Sequence, residues 1–197
     1  YTGAWSNYPL EKAYTKRLID EGCIILAHHT DSDASAVVCE EEHFSRKALY
    51  HVGYNQAMQT VAPTTALVST RIYWTPYIRH AVKAVLQKKP IEKGLKAFVR
   101  GTDSWAGFDE DWVQILELNK MICPLGGEAV VAEAIEAFKK KKRFVLYGDY
   151  IGENPEDGST YNLANGFLEN ETQSAPRFNY VLQNVITEEQ YEYLPFF

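Results

Sequence analysis

Nowhere in the 197 residues does an apolar run approach the ~20 residues that cross a bilayer. Cysteine is scarce. Cys23, Cys39 and Cys123 are odd in number, lack metal-ligand spacing and sit in apolar surroundings, so buried thiols are expected. Clustered positive charge is missing too: 20 Lys plus Arg stand against 26 Asp plus Glu, a net charge of -6. Binding a polyanion releases counterions from clustered cations, so nucleic acid is not an expected partner. The densest basic run, Lys139-Lys140-Lys141-Lys142-Arg143, closes a predicted helix, where cations meet the negative end of the dipole. Gly-x-Ser-x-Gly, phosphate-loop and dinucleotide fingerprints are absent, as are His-Glu-x-x-His and Cys-x-x-Cys, which leaves enzyme and metal readings without a motif. No cofactor is expected. Internal repeats and low-complexity segments are lacking as well.

What is present is a 46% hydrophobic chain, enough for one sizeable core. Pro9 suits a first helical turn, Leu10, Ala13, Tyr14, Arg17 and Leu18 follow at helical spacing, and Gly22 supplies a left-handed stop. Residues 23–27 form a continuous apolar run, the pattern of a strand buried on both faces. The last residues of His28-His29-Thr30-Asp31-Ser32-Asp33 can cap a helix carrying Ala36, Val37 and Cys39. Further strands are predicted at 48–53, 66–72, 95–99 and 144–147. Helices are predicted with an apolar stripe at Ile78, Ala81, Val82, Val85 and Leu86, around Trp112, Ile115 and Leu116, and around Val130 to Phe138. Alternating strands and helices predict an α/β fold, a three-layer parallel sheet with right-handed crossovers. From Gly148 onward Gly, Asn, Asp and Pro punctuate an aromatic-rich stretch, read as an ordered extension packed on the body, with one helical turn at Glu188 to Glu192.

In such sheets ligands gather at the carboxyl ends of the strands. That draws together Trp5-Ser6-Asn7, then His29-Thr30-Asp31-Ser32, then Tyr54-Asn55-Gln56, an assortment suited to a flat polar heterocycle. Trp5 could stack, Asp31 could accept from an amine or ring N–H, and Asn55 could donate and accept. Against this, Trp5 could simply pack and Ser32 or Asp31 simply cap; for Asp31 the two readings weigh equally. His28 and His29 are neighbours on a strand and point to opposite faces, so one ion cannot easily hold both. The acidic Asp109-Glu110-Asp111 is explained by a helix start, and Asn170-Glu171-Thr172 matches a glycosylation triplet too common to carry weight.

Tyr1-Thr2-Gly3-Ala4-Trp5, the HTDS of His29 to Ser32, the GYN of Gly53 to Asn55, Ala62-Pro63, the stretch from Ser69 to Pro76 and the GFDEDWVQ of Gly107 to Gln114 together resemble the basic membrane protein family. Those proteins are substrate-binding lipoproteins of ABC importers, typified by purine nucleoside receptors. The resemblance runs from Tyr1 to at least Leu146. It implies a two-lobed type I periplasmic-binding fold with ligand clamped between lobes. It also implies a partner permease and an extracytoplasmic place in the cell envelope, with membrane contact only through a lipid anchor that this chain does not carry. On this comparison residues 1–73 are second-lobe ligand-binding segment, 74–106 hinge-crossing first-lobe remnant, 107–147 a return to the second lobe and 148–197 a C-terminal extension. Most of the first lobe is then expected to lie outside this chain, with weak or undetectable ligand affinity as the consequence.

Residue roles follow from the same resemblance. Trp5 sits where nucleoside receptors stack an aromatic on the purine, and Thr30 and Asp31 sit where the family contacts ligand. Asn55 stands where those receptors place a ribose-binding Asp, and Ile72 falls near their ribose-binding Lys. Ribose hydroxyls would be left without partners on burial, so a free purine base, adenine first, is expected over a nucleoside, with Trp74 filling the vacated sugar space. The site set is therefore Trp5, Ser6, His29, Thr30, Asp31, Tyr54, Asn55 and Trp74. A purine-sensing regulatory receptor is the alternative, and an enzyme acting on nucleosides a weaker one.

Overall fold

Asn7 shows how local chemistry starts the fold. Its side chain accepts from the Leu10 N–H at 3.3 Å, and Pro9 takes a first-turn position where no N–H is needed. The helix α1 (Tyr8–Asp20) follows and ends at Gly22, whose φ of 94° favours glycine. The computed structural model describes residues 2–45, 48–100, 103–140, 146–167 and 178–183. By contacts the chain divides into two compact units, Tyr1–Ala132 and Glu133–Phe197.

In the first unit, β1 (Ile25–Ala27), α2 (Ala34–His43), β2 (Tyr50–Gly53) and β3 (Ala66–Ile72) come in order, with β1 to β3 parallel. A later strand, β6 (Val113–Ile115), pairs antiparallel with β3, giving the order β1-β2-β3-β6. The fold is thus mixed α/β with a mainly parallel four-stranded sheet. Ile19 from α1, Leu26, Val38, Cys39 and Leu49 make one core cluster, and Ala36, Met58, Ala62 and Ala66 a second. Burying a leucine or isoleucine contributes about 1.5–3 kcal/mol, so these two clusters anchor the helices to the sheet. Glu40 ties α2 to the turn before β3: its carboxylate accepts from the Thr64 N–H, the Thr64 hydroxyl at 2.7 Å and the Thr65 hydroxyl at 2.9 Å.

Several expectations need correction. The run at 23–27 is not buried on both faces: Leu26 packs inward, while Ile24 is exposed and Ile25 is 62% exposed. Residues around Trp112, Ile115 and Leu116 form β6 rather than a helix. Val113 and Ile115 alternate with Gln114, which accepts from Arg71 Nε at 2.7 Å, and the free edge of β3 decides between two periods that both fit so short a run. No helix starts at the acidic triplet; Glu110 accepts from the Gly107 N–H and Asp111 turns with φ 63°. The strand expected at 95–99 is shorter and shifted, β4 (Phe98–Arg100), and pairs with β5 (Asp103–Trp105) in a separate two-stranded hairpin. On α3 (Thr75–Leu86) the apolar stripe is largely uncovered: Ile78, Val82, Val85 and Leu86 are exposed and Ala84 alone is buried. Cys39 is buried, but Cys23 is exposed and Cys123 half-buried, against the expectation of three buried thiols.

Helix α4 (Gly127–Lys139) crosses the division between units with none of its residues buried. The second unit holds a three-stranded antiparallel sheet ordered β8 (Thr160–Asn162), β7 (Ile151–Glu153), β9 (Val181–Leu182). Tyr161, Phe167, Phe178 and Tyr180 pack ring against ring there, with Phe167 and Phe178 centroids 5.1 Å apart. Such aromatic pairs add about 0.5–1.5 kcal/mol each beyond burial, enough to hold so small a sheet together. Of the strand expected at 144–147, Leu146 makes a single bridge to Phe167 and Tyr147 is exposed; 144 and 145 lie outside the described residues. So do Tyr1, most of the basic run, the glycosylation triplet and the turn at Glu188 to Glu192.

Candidate functional site

Two loops meet first. The Asp31 N–H donates to the Trp5 carbonyl at 2.7 Å, bringing the segment before α1 against the loop after β1. Glu11 locks them: its Oε1 accepts from the Asn7 N–H at 2.7 Å and its Oε2 from the Thr30 hydroxyl at 2.7 Å and the Ser32 hydroxyl. Burial alone would push the Glu11 carboxyl up, but the hydrogen bonds from Asn7, Ser32 and Thr30, helped by His28, outweigh it and hold the group below the ordinary carboxylate value. It is therefore an anion at neutral pH, although only 5% exposed.

Around this knot lies a cavity of about 440 Å³, within the range of small-molecule sites. Trp5, Glu11, Tyr14, His28, His29 and Thr30 contribute to its wall, with Leu18, Leu26 and Ala27 as apolar lining. Trp5 is 69% exposed, so its indole is available for stacking. His29 leans on Tyr54, centroids 4.2 Å apart, which links the loop after β2 to the same wall.

The remaining expected residues sit elsewhere. Asn55, at φ 61°, accepts at its Oδ1 from the Ile72 N–H at 3.3 Å and lines a second cavity with Gln56, Ser69 and Arg71. Asp31 is exposed, contributes its backbone to the loop contact and lines neither cavity. Ser6 is exposed and Trp74 is 61% exposed; neither lines these cavities. Trp5, His29, Thr30 and, through His29, Tyr54 are thus brought together, while Asn55 and Trp74 are not.

The chain matches no known family model, and no curated protein matches it.

Three residues of this site carry no signal in the sequence that marks them. Glu11 stands four residues after the capping Asn7, a spacing that reads as ordinary first-turn chemistry. In the sequence His28 suggests only a metal ligand, and among the described residues no group of three or more His, Cys, Asp or Glu could hold an ion. His51 sits inside an apolar strand and is 0% exposed. His28 Nδ1 and His51 Nε2 lie 3.0 Å apart with rings stacked, a contact no linear pattern announces. Burial pushes His51 down to about 3, His28 beside it adding to the effect. Burial lowers His28 as well, against the pull of Glu11. Both rings are neutral at pH 7.

Proposed function

We propose that this chain is the ligand-binding part of a receptor for a purine, the free base adenine in preference to a nucleoside, acting for import rather than catalysis. The observation that carries the reading is the exposed Trp5 indole standing at a cavity walled by His28, His29 and Thr30. A flat heteroaromatic gains about 1–3 kcal/mol from stacking on an aromatic face, while the polar wall offers partners for ring nitrogens. The preference for base over nucleoside rests on Asn55 and Ile72, since Asn55 commits its Oδ1 to the Ile72 N–H and Ile72 is apolar. Neither offers ribose hydroxyls a charged partner.

The wider reading comes from the family resemblance. A type I periplasmic-binding clamshell would supply a second wall over Trp5, close on ligand and present that closed state to a permease. Lipid anchoring in the cell envelope belongs to the same proposal.

Two measurements test it. Protein that carries both lobes, purified under gentle conditions and then denatured, should release adenine, identified by mass spectrometry, and adenine should bind it by calorimetry. Trp5→Ala should weaken that binding by roughly 10- to 100-fold. Wild-type affinity in Trp5→Ala refutes the stacking role, and a released nucleoside refutes the preference for the free base.

A further inference from the structure

Arg71 is held by one edge and one face, and the other end of its guanidinium is left over. It stands opposite Gln114 in the β3–β6 ladder, where its Nε donates to Gln114 Oε1 at 2.7 Å. That amide is itself fixed, because Gln114 Nε2 donates to Asp111 Oδ1 at 2.6 Å. The guanidinium carbon lies 4.6 Å from the centroid of the Tyr73 ring, which covers one face. Among the described residues neither Nη has an acceptor and no carboxylate pairs with the group, although the chain holds 26 Asp plus Glu. Neither Nη is sealed off: the buried polar side-chain atoms without partners among the described residues are all histidine nitrogens. A planar pair of donors set in orientation beforehand is the geometry that takes a carboxylate through two parallel bonds.

Arg71 lines the second cavity, of about 460 Å³, together with side chains that are also tied down. Asn55 Oδ1 is committed to the Ile72 N–H, which leaves Nδ2 as a donor with no acceptor among the described residues. Gln59 Nε2 donates to the Glu117 carbonyl at 3.1 Å and the Met58 N–H to Ser69 Oγ at 3.3 Å, so the turn at Met58–Thr60 is closed against β3 and the chain after β6. Ala57 and Leu116 add apolar wall. Among the described residues of this wall Arg71 is the sole Lys or Arg, and the sole acidic one, Glu117, is mostly exposed and pairs with Lys120 at 3.3 Å.

We propose that the cavity of Arg71 is a second ligand site, which takes a small organic carboxylate of single negative charge. The two Nη groups hold the carboxylate by parallel bonds, Asn55 Nδ2 donates to a ligand oxygen, and Ala57 and Leu116 meet the carbon end. One arginine balances one charge. A phosphate dianion brings a second charge that no other cation of the wall meets. The site is independent of the purine reading, because the two cavities share no lining residue.

The test titrates the full chain with lactate, its neutral amide lactamide and inorganic phosphate, read by the arginine and asparagine side-chain signals in ¹H–¹⁵N NMR. It is run at matched ionic strength and mildly alkaline pH, where phosphate is mostly dianionic. Lactate should move the Arg71 and Asn55 signals along a saturable curve, lactamide should leave them in place, and phosphate should bind at least about tenfold more weakly. Arg71→Lys keeps the charge but loses the paired donors and should weaken lactate by about tenfold; Arg71→Gln should remove the saturable response. Asn55→Asp keeps the acceptor for the Ile72 N–H while setting a carboxylate where a donor stood, and should weaken lactate by about tenfold or more. That variant leaves β3 unaltered, so it decides even if the Arg71 variants do not fold. Unmoved signals with lactate, or an equal response to lactamide, overturn the site. Wild-type affinity in Arg71→Gln or Asn55→Asp does the same, and equal affinity for phosphate overturns the restriction to a single charge.

Discussion

Replacing Glu11 with glutamine removes one charge from a carboxylate that accepts three hydrogen bonds while almost fully buried. Hydrogen bonds to a charged partner contribute about 1.5–3 kcal/mol each, but three bonds on one group do not add. Glutamine keeps one carbonyl oxygen, which can still take the Asn7 N–H. Its NH2 then faces the Thr30 and Ser32 hydroxyls, which can turn to accept. The net loss should be roughly 2–3 kcal/mol, a large share of the 5–15 kcal/mol typical of a domain. In urea denaturation, with a slope of about 2–3 kcal/mol/M, the midpoint should fall by roughly 1 M. The pH dependence gives the reasoning its sign. The native carboxyl is held below its ordinary value of 4.5, so its stabilisation is present in full above that pH and is lost as pH falls through the lower native value. The gap between wild type and Glu11→Gln should therefore be widest at neutral pH and close in acid. A loss under 0.5 kcal/mol at pH 7, or a gap that does not narrow in acid, refutes the argument.

Other expectations follow from packing and burial. A Cβ on Gly53 would run into the Ser69 hydroxyl and Met58 Cγ, so Gly53→Ala should cost about 1–3 kcal/mol in the same denaturation assay. Glu40→Ala leaves the Thr64 N–H and two threonine hydroxyls without their acceptor and should lower stability by about 2 kcal/mol, with thermal unfolding as the readout. His51 is held neutral down to about 3, whereas the unfolded chain protonates it near 6.5; stability should fall as pH drops from 6.5 toward 3. His51→Phe should flatten that slope in urea titrations over the interval, and an unchanged slope refutes the assignment.

The elements legible in the sequence were those whose signals are local. Pro9 and Gly22 bracket α1, and the strand predicted at 66–72 is β3 over its full span. Strand β6 was not legible because Trp112, Ile115 and Leu116 fit a helical period as well as Val113 and Ile115 fit a strand, and the partner that decides lies some forty residues earlier. The same limit applies to the site. That Trp5, His29 and Thr30 should converge followed from where strands end in α/β sheets. Glu11, His28 and His51 became visible only in space, because each reads as helix start, loop or apolar strand when taken alone. Trp74 shows the opposite failure: an aromatic near the right strand end, carried away from the cavity by the start of α3.

The Tyr73 N–H donates to the Trp112 carbonyl at 2.7 Å, so the chain leaves β3 and re-enters at β6 through adjacent backbone positions. Everything between them, α3 and the β4–β5 hairpin included, is an excursion with a closed mouth. Strand β3 is held on its other side by β2, and the ladder with β6 is extended by Leu116 on Ser69 and Asn119 on Leu67. Because a longer loop between fixed ends adds little closure entropy, this excursion can change in length and content without moving the register of either strand. Such a segment is where a lineage can rewrite a surface while the half that holds the cavity stays as it was.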